Sequence, residues 1–500
     1  MSRVKSIFYN RIPSPTTTNR EGYPTYARSL EEQYLQVLLT NTLGNTFYAS
    51  GEQLLEEAEA LHDRMAAENP EFMARTLVFA RNEGFMRLQP VWGLAKLAGV
   101  RPDLFERVFD RVILIPSDLQ DFFVILGSMG RGQGGRTIKR AVARWLNEKL
   151  NEYWVIKYNG RGRGYSLGDI IRTVHPKPAS EKLSALFRYA VRRECDAALL
   201  PQVAAFEALK QVQTPEERAR LIAEGRLPHE VVTGVGGLDK ECWRALVPQM
   251  PFMALLRNLN TLHRHGVLEE FKEHITQKLT NEQALRVSKV FPFQFLKAYQ
   301  QVQVPWVKDV LRQAVEITVD NIPEIPGKTA IFLDVSGSME GEYLLIGAVF
   351  ALGLYKRTGG NAVFWTFDTE VYEQSPSMVD SVLSQAESLR ALGGTDTGAP
   401  VRQLTGQRLH VNNIIMITDE QQNTGSPFYD GLAEYRRKVN PAVRAFIIDV
   451  SPYRSAMVPP SDPLTWYIYG WSDQVLQYIP TVIQGFGGLV ERVRSLQIDR

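Results

Sequence analysis

The chain has 500 residues, 44% hydrophobic and 22% charged, with a formal net charge of +2 at pH 7. That length exceeds what one hydrophobic core usually serves, so two or more domains are expected. The near-neutral total excludes attraction of nucleic acid by overall charge and leaves only a local patch to supply it. The two cysteines, Cys195 and Cys242, stand far apart and outside any metal-ligand spacing, and are expected to be free thiols in a reducing compartment. No stretch approaches the roughly 18 to 20 apolar residues that span a bilayer. The polar start, broken by Pro13 and Pro15, has no apolar core of signal-peptide length. A soluble, cytoplasmic protein without a membrane partner is expected.

Residues 1–28 read as an extended lead-in. From Ser29 the pattern is helical for nearly three hundred residues. Ser29 with Glu32, and Ser50 with Gln53, have capping-box spacing ahead of apolar-periodic segments. Phe72, Leu77, Phe79 and Ala80 mark an amphipathic helix over 72–82. Pro90, Pro102, Pro116, Pro201, Pro215, Pro228 and Pro251 then recur between helical patterns. Helix, short turn and helix in that rhythm suggest stacked hairpins, an all-α HEAT-like repeat over 29–320. No repeat of residue identity accompanies the period.

Asn321 to Gly327 reads as a linker, and from 328 to 500 the texture changes. Strands are expected at 329–335, 361–367, 412–418, 444–450 and 465–469. Helices are expected at 340–357, 428–438 and 476–496. Continuous apolar strands between amphipathic helices predict a doubly wound, mostly parallel α/β sheet, Rossmann-like in its layering. Ligands in such sheets bind outside the carboxyl ends of the strands.

The first of these strands runs into Asp334-Val335-Ser336-Gly337-Ser338. A strand-terminal carboxylate followed by two hydroxyls offers oxygen ligands suited to a hard divalent cation. Taken alone, the same residues fit a cap on the next helix equally well. The loop Gly393-Gly394-Thr395-Asp396-Thr397 and the strand end Thr418-Asp419 complete an ordered set of Asp, Ser, Ser, Thr and Asp. That set resembles the metal-ion-dependent adhesion site of von Willebrand factor A domains, over about 328–500. The resemblance implies that Ser336, Ser338 and Thr395 bind the metal directly or through water. Asp334 and Asp419 bind it directly or hold coordinating waters. Thr395 is taken over Thr397 because the family places its ligand directly after the glycine-containing turn. One divalent cation is implied, with Mg²⁺ favoured by the small hydroxyl ligands and Mn²⁺ or Ca²⁺ allowed. One coordination position is left for an acidic group of a partner. No His or Lys base stands in these loops, and one cation with two carboxylates is not a two-metal hydrolase. No enzymatic activity is expected.

Charge is most uneven between 131 and 163. Arg131, Arg136, Lys139, Arg140, Arg144, Lys149, Lys157, Arg161 and Arg163 stand against Glu148 and Glu152 alone. Ile138, Ala141, Val142, Trp145 and Leu146 form one helical stripe facing a core. Arg136, Arg140 and Arg144 recur every four residues on another face. A Gly-Arg-Gly loop follows, lacking the Gly-Lys-Ser/Thr ending of a nucleotide-binding loop. A charge run is usually a solvated face. Concentrated in one segment of a near-neutral chain, this one points to an anion-binding surface.

Residues 130–178 are similar to the central stretch of the TROVE domain of Ro ribonucleoproteins. The likeness rests on Ala143-Arg144-Trp145-Leu146-Asn147-Glu148-Lys149 and on Tyr165 through Pro178. Met250 through Leu259 and Phe291 through Ala298 resemble two further stretches of it. The domain order is also the family's. The resemblance implies a closed ring of HEAT-like repeats whose ends are joined by the A-type domain. It implies small noncoding Y-like RNA on a basic outer surface and single-stranded ends of misfolded RNA in the central hole. It also implies work with an exoribonuclease in RNA maturation, quality control, decay or stress survival, by a ring of one chain. Lys139, Arg140, Arg144, Lys157, Arg161, Arg163, Arg172 and His175 are carried over as RNA contacts, and Arg131 and Arg136 join them from the same segment. His175, at a helix end, fits a cap on carbonyls equally well. Arg257 reads as a structural arginine.

The expected function is therefore non-catalytic RNA binding. The alternative is a metal-dependent interaction scaffold whose A-type domain grips an acidic residue of a partner.

Overall fold

The structure, a computed structural model, describes residues 13–498 except 42, 133, 161, 163, 289–291, 321, 323, 471, 473–475, 477, 484, 486 and 487. Helices follow one another from Leu30–Thr40 to Pro305–Val319. Their starts are written locally. Ser29 and Ser50 form the two anticipated capping boxes, and Ser166 with Asp169 forms a third. Pro102, Pro116, Pro201, Pro215 and Pro305 occupy the first turn, where the missing N–H is not needed. In the first half of the array, helices pack on the next helix and the next but one, as in a solenoid. The Arg136–Lys149 helix buries the expected stripe. Within it the Trp145 indole is stacked on Trp154 at 5.5 Å and donates to the Ile113 carbonyl at 2.8 Å.

The second part is a six-stranded sheet of β3 (Thr329–Asp334), β4 (Val363–Phe367), β5 (Val371–Gln374), β6 (Asn413–Thr418), β7 (Arg444–Asp449) and β9 (Thr465–Tyr469). Their order is β5-β4-β3-β6-β7-β9. All pairings are parallel except that of β5, an antiparallel edge strand not anticipated from sequence. Alternation along β3 explains its continuous hydrophobicity. Ile331 and Leu333 join a core shared with the helix Glu342–Arg357 and the helical array. Ala330 and Phe332 face the helices Ala399–Gly406 and Phe428–Lys438. Both faces are covered, so the strand has no polar side.

Three expectations give way. The lead-in is, from residue 13, a hairpin of β1 (Thr17–Thr18) and β2 (Pro24–Ala27), and β2 pairs with β8 (Ser455–Ala456). Arg28, directly after it, is buried between Glu420 and Asp449, and this holds the segment in place. The supposed linker is packed: Ile322 and Ile325 are buried, and the Ile322 carbonyl accepts from Arg357 Nε at 2.8 Å. The long final helix is two short ones, Tyr478–Ile483 and Leu489–Ser495, with Gly485 at φ +91° and Gly488 as N-cap between them. A left-handed glycine ends the first helix.

Both ends of the helical array meet the α/β part. At the start, Arg75 and Arg111 donate to the carbonyls of Arg494 and Gln497 at 2.6 Å, and Arg494 pairs with Glu31. At the finish, Glu316 pairs with Lys356 at 2.8 Å and accepts from the Val382 N–H at 2.8 Å. The chain is thereby closed on itself. No helix among the described residues is long and apolar enough to cross a membrane.

Candidate metal centre and basic face

Parallel register brings four acids to one edge of the sheet: Asp334 at the end of β3, Asp368 just after β4, Asp419 just after β6 and Asp449 at the end of β7. The Asp334 carboxylate accepts the Ser336 N–H at 2.9 Å, which turns the chain tightly. Its other oxygen accepts the Thr418 hydroxyl at 2.6 Å. Ser336 and Ser338 hydroxyls lie 3.2 Å apart. The Gly337 N–H donates to the Gly393 carbonyl at 3.0 Å, and Leu392 N–H to that of Val335 at 2.6 Å. These bonds lay the glycine loop against the serine loop. The Thr395 N–H donates to Asn423 Oδ1 at 2.9 Å.

The five expected residues therefore converge, and all are buried. Their neighbours are spoken for. Asp396 pairs with Arg402 at 2.5 Å, and the Thr397 hydroxyl donates to Gln422. By contrast, Thr395 Oγ1 and Asp419 Oδ2 are buried without a hydrogen-bond partner. Burial, and then the charge of Asp334, push the Asp419 carboxyl up to about 8. Burial also raises Asp334, against the pull of the Ser336 and Thr418 hydroxyls. No basic side chain is among the groups acting most strongly on either. Orphaned buried oxygens and adjacent carboxylates cost free energy unless a positive charge reaches them. A hard divalent cation held among these five side chains would satisfy both orphaned oxygens. The donor set fits one. Sequence reading missed Asp368, whose charge raises Asp334, and Asn423. A strand-end acid after β4 was the available signal.

The basic segment is less uniform than its composition. Arg140 pairs with Glu106 and Arg144 with Asp110 at 2.6 Å. These two arginines, four apart, thus face two acids four apart on the preceding Pro102–Val112 helix. Lys157 pairs with Glu230 at 2.8 Å and Arg172 with Asp169 at 3.0 Å. Arg131 donates to the Ala98 carbonyl at 3.4 Å. Arg136 and Lys139 have no acidic partner among the described residues, and Arg136 is exposed. Arg161 and Arg163 lie outside the described residues. His175 is the left-handed C-cap of the Leu167–Val174 helix at φ 54°, with its N–H on the Ile171 carbonyl and its ring exposed. It caps through its backbone, so the ring stays available.

A helical-repeat array closed by a doubly wound α/β domain of von Willebrand factor A-like fold is the architecture these contacts define. The TROVE domain family matches residues 232–373. RNA-binding protein RO60 of Deinococcus radiodurans is 26% identical over 494 residues, covering 90% of this chain and 92% of that one. RNA-binding protein RO60 of Caenorhabditis elegans is 23% identical over 429 residues, covering 70% and 66%. The crystal structure of the Deinococcus radiodurans RO protein covers 90% of this chain and 99% of its own at a TM-score of 0.68, with 24% identity. The chain is thus similar to the TROVE domain family over residues 232–373 and to a bacterial Ro protein along 90% of its length.

Proposed function

We propose that this protein binds RNA without transforming it. The observation that carries the reading is likeness along 90% of the chain to a relative named as an RNA-binding protein. The exposed Arg136 and partly exposed Lys139, neither paired with an acid among the described residues, give that reading a surface. The RNA is a small, structured noncoding RNA of the Y type, read by shape and phosphate on the basic outer face. Single-stranded ends of misfolded RNA enter the ring. The setting is RNA quality control, maturation or decay beside an exoribonuclease, in the cytoplasm and under stress. Ion pairs do not disqualify Arg140 and Arg172, because exposed pairs are worth only about 0–1 kcal/mol and exchange readily for a phosphate.

The test is RNA binding by purified protein, using a stem with a single-stranded 3′ end. Arg136→Glu with Lys139→Glu should weaken binding about tenfold and flatten its salt dependence. Unchanged affinity and slope would remove the basic face from the account.

A second reading is favoured by the orphaned Thr395 Oγ1 and Asp419 Oδ2. The A-type domain holds one divalent cation, Mg²⁺ before Mn²⁺ or Ca²⁺, through Asp334, Ser336, Ser338, Thr395 and Asp419. The cation would supply an electrophilic point for an acidic group of a partner. Cation titration of wild type against Asp419→Ala checks it, with binding expected only in the first.

A further inference from the structure

The helix Phe252–Arg264 turns Phe252, Leu255, Leu256, Leu259 and Leu262 into the core of the array. Arg257, Asn260, Thr261 and Arg264 recur at the three- and four-residue spacing of one helical face, and that face is left outside the core. The Asn260 side chain donates to the Gln301 carbonyl at 3.1 Å, which lays the end of the Pro292–Gln301 helix against it. A cavity of about 560 Å³ opens here, lined by Arg257, Asn260, Thr261, His263, Arg264 and Gln301. A water takes about 30 Å³ of liquid, so a phosphate group fits with water to spare.

The lining is polar throughout and contains no acid. Arg257 is exposed, and its guanidinium has no ion pair or hydrogen bond among the described residues; nor has the His263 ring. Arg264 donates to the Thr261 hydroxyl at 3.2 Å. A structural arginine would be paired, as Arg140 and Arg144 are with Glu106 and Asp110. His263 and Arg264 lie in the last turn, where cations also offset the partial negative charge of the helix end. Arg257 lies two turns earlier, beyond the reach of that effect. Guanidinium groups that share a face without a counter-charge repel one another, and an anion between them removes the repulsion and takes their charge-assisted hydrogen bonds.

We infer that this face is a further phosphate-binding site, with Arg257 and Arg264 as its guanidinium groups. It stands on other elements than the basic 131–175 segment. An RNA backbone is the source of phosphate that suits it best, because Arg257 and Arg264 are about 10 Å apart along the helix axis and can meet more than one phosphate of a strand. A free phosphorylated compound shares the chemistry. Only the RNA source rests on the RNA-binding reading above.

The test uses the full chain in buffer free of divalent cations. Inorganic pyrophosphate is titrated by calorimetry, and a fluorescent single-stranded oligouridylate over a range of salt. Wild type is compared with a neutral double variant, Arg257→Gln with Arg264→Gln, and with Arg136→Glu with Lys139→Glu. The neutral variant should bind both probes about tenfold more weakly, the weight of one charge-assisted contact. Its salt slope on the oligouridylate should be shallower by about 1. Its thermal melt should match wild type, because neither arginine gives up an ion pair. Arg136→Glu with Lys139→Glu should leave pyrophosphate binding unchanged. Weaker oligouridylate binding in the neutral variant identifies RNA as the source of phosphate. Weaker binding of pyrophosphate alone keeps the site and assigns it to a free phosphorylated compound. If the neutral variant binds both probes as wild type does, the site is overturned and RNA binding stands. Wild type that binds pyrophosphate but no RNA overturns the RNA-binding reading and leaves the phosphate site, and wild type that binds neither overturns both.

Discussion

Asp419 is a carboxyl that the fold keeps protonated far above the usual range, and the cause is burial beside Asp334 rather than a hydrogen bond to the neutral form. Glu420 is likewise pushed up to about 8 by burial, against the pull of Arg28. In the unfolded chain both titrate near the ordinary value of about 4. Between those values the folded, cation-free protein holds protons that the unfolded chain has released, so raising the pH across that window lowers its stability. Cation-free thermal melts should therefore fall from pH 6 to 9, and Mg²⁺ should raise them increasingly toward the alkaline end because protons and cation compete. A melting temperature independent of pH and of Mg²⁺ would contradict this. At this scale, Asp334, Ser336 and Ser338 were legible because a strand end and its turn are contiguous in the chain. Thr395 and Asp419 came from the resemblance to the ordered ligand set of A-type domains, with Thr395 preferred to Thr397 for its place after the glycine turn.

Elements hold together through a few buried polar contacts whose partners are distant in sequence. Arg28 pairs with Asp449 at 2.8 Å and with Glu420, donates to the Tyr469 hydroxyl at 2.7 Å and lies 4.1 Å from the centre of the Tyr467 ring. It clamps the hairpin segment to the ends of β7 and β9. Arg28→Met should destabilise the protein by about 3–5 kcal/mol, the cost of leaving buried acids without their cation. Urea denaturation measures it, and a loss under 1 kcal/mol would show the clamp to be dispensable. Helices with caps and prolines were readable from sequence, as were the apolar strands. The first hairpin was not, because β1 and β2 are short and mostly polar and owe their order to β8 and Arg28. The arginines of the 136–149 helix are not equivalent in a way composition could show: that Glu106 and Asp110 face Arg140 and Arg144 is a fact of helix packing. Reversing Arg140 and Arg144 should therefore lower stability as well as RNA affinity, whereas reversing Arg136 and Lys139 should lower affinity alone. Paired melts and binding curves separate the two.

The whole molecule is closed because the α/β domain meets both the first and the last helices of the array. The cluster of acids and hydroxyls lies at the sheet edge of the α/β part and the basic helix lies on the array, so the two proposed sites draw on different elements. RNA binding should be a property of the array, with the cation serving a different partner. The measurement that decides this is the salt-dependent affinity of a fluorescent RNA with a stem and a single-stranded 3′ end. It would compare wild type, Arg136→Glu with Lys139→Glu, and Asp419→Ala. Charge reversal is predicted to weaken binding about tenfold and to make the slope against log salt shallower by about 1 for each phosphate no longer neutralised, with Asp419→Ala matching wild type. Unaltered binding after charge reversal, or loss of binding in a folded Asp419→Ala protein, would contradict it.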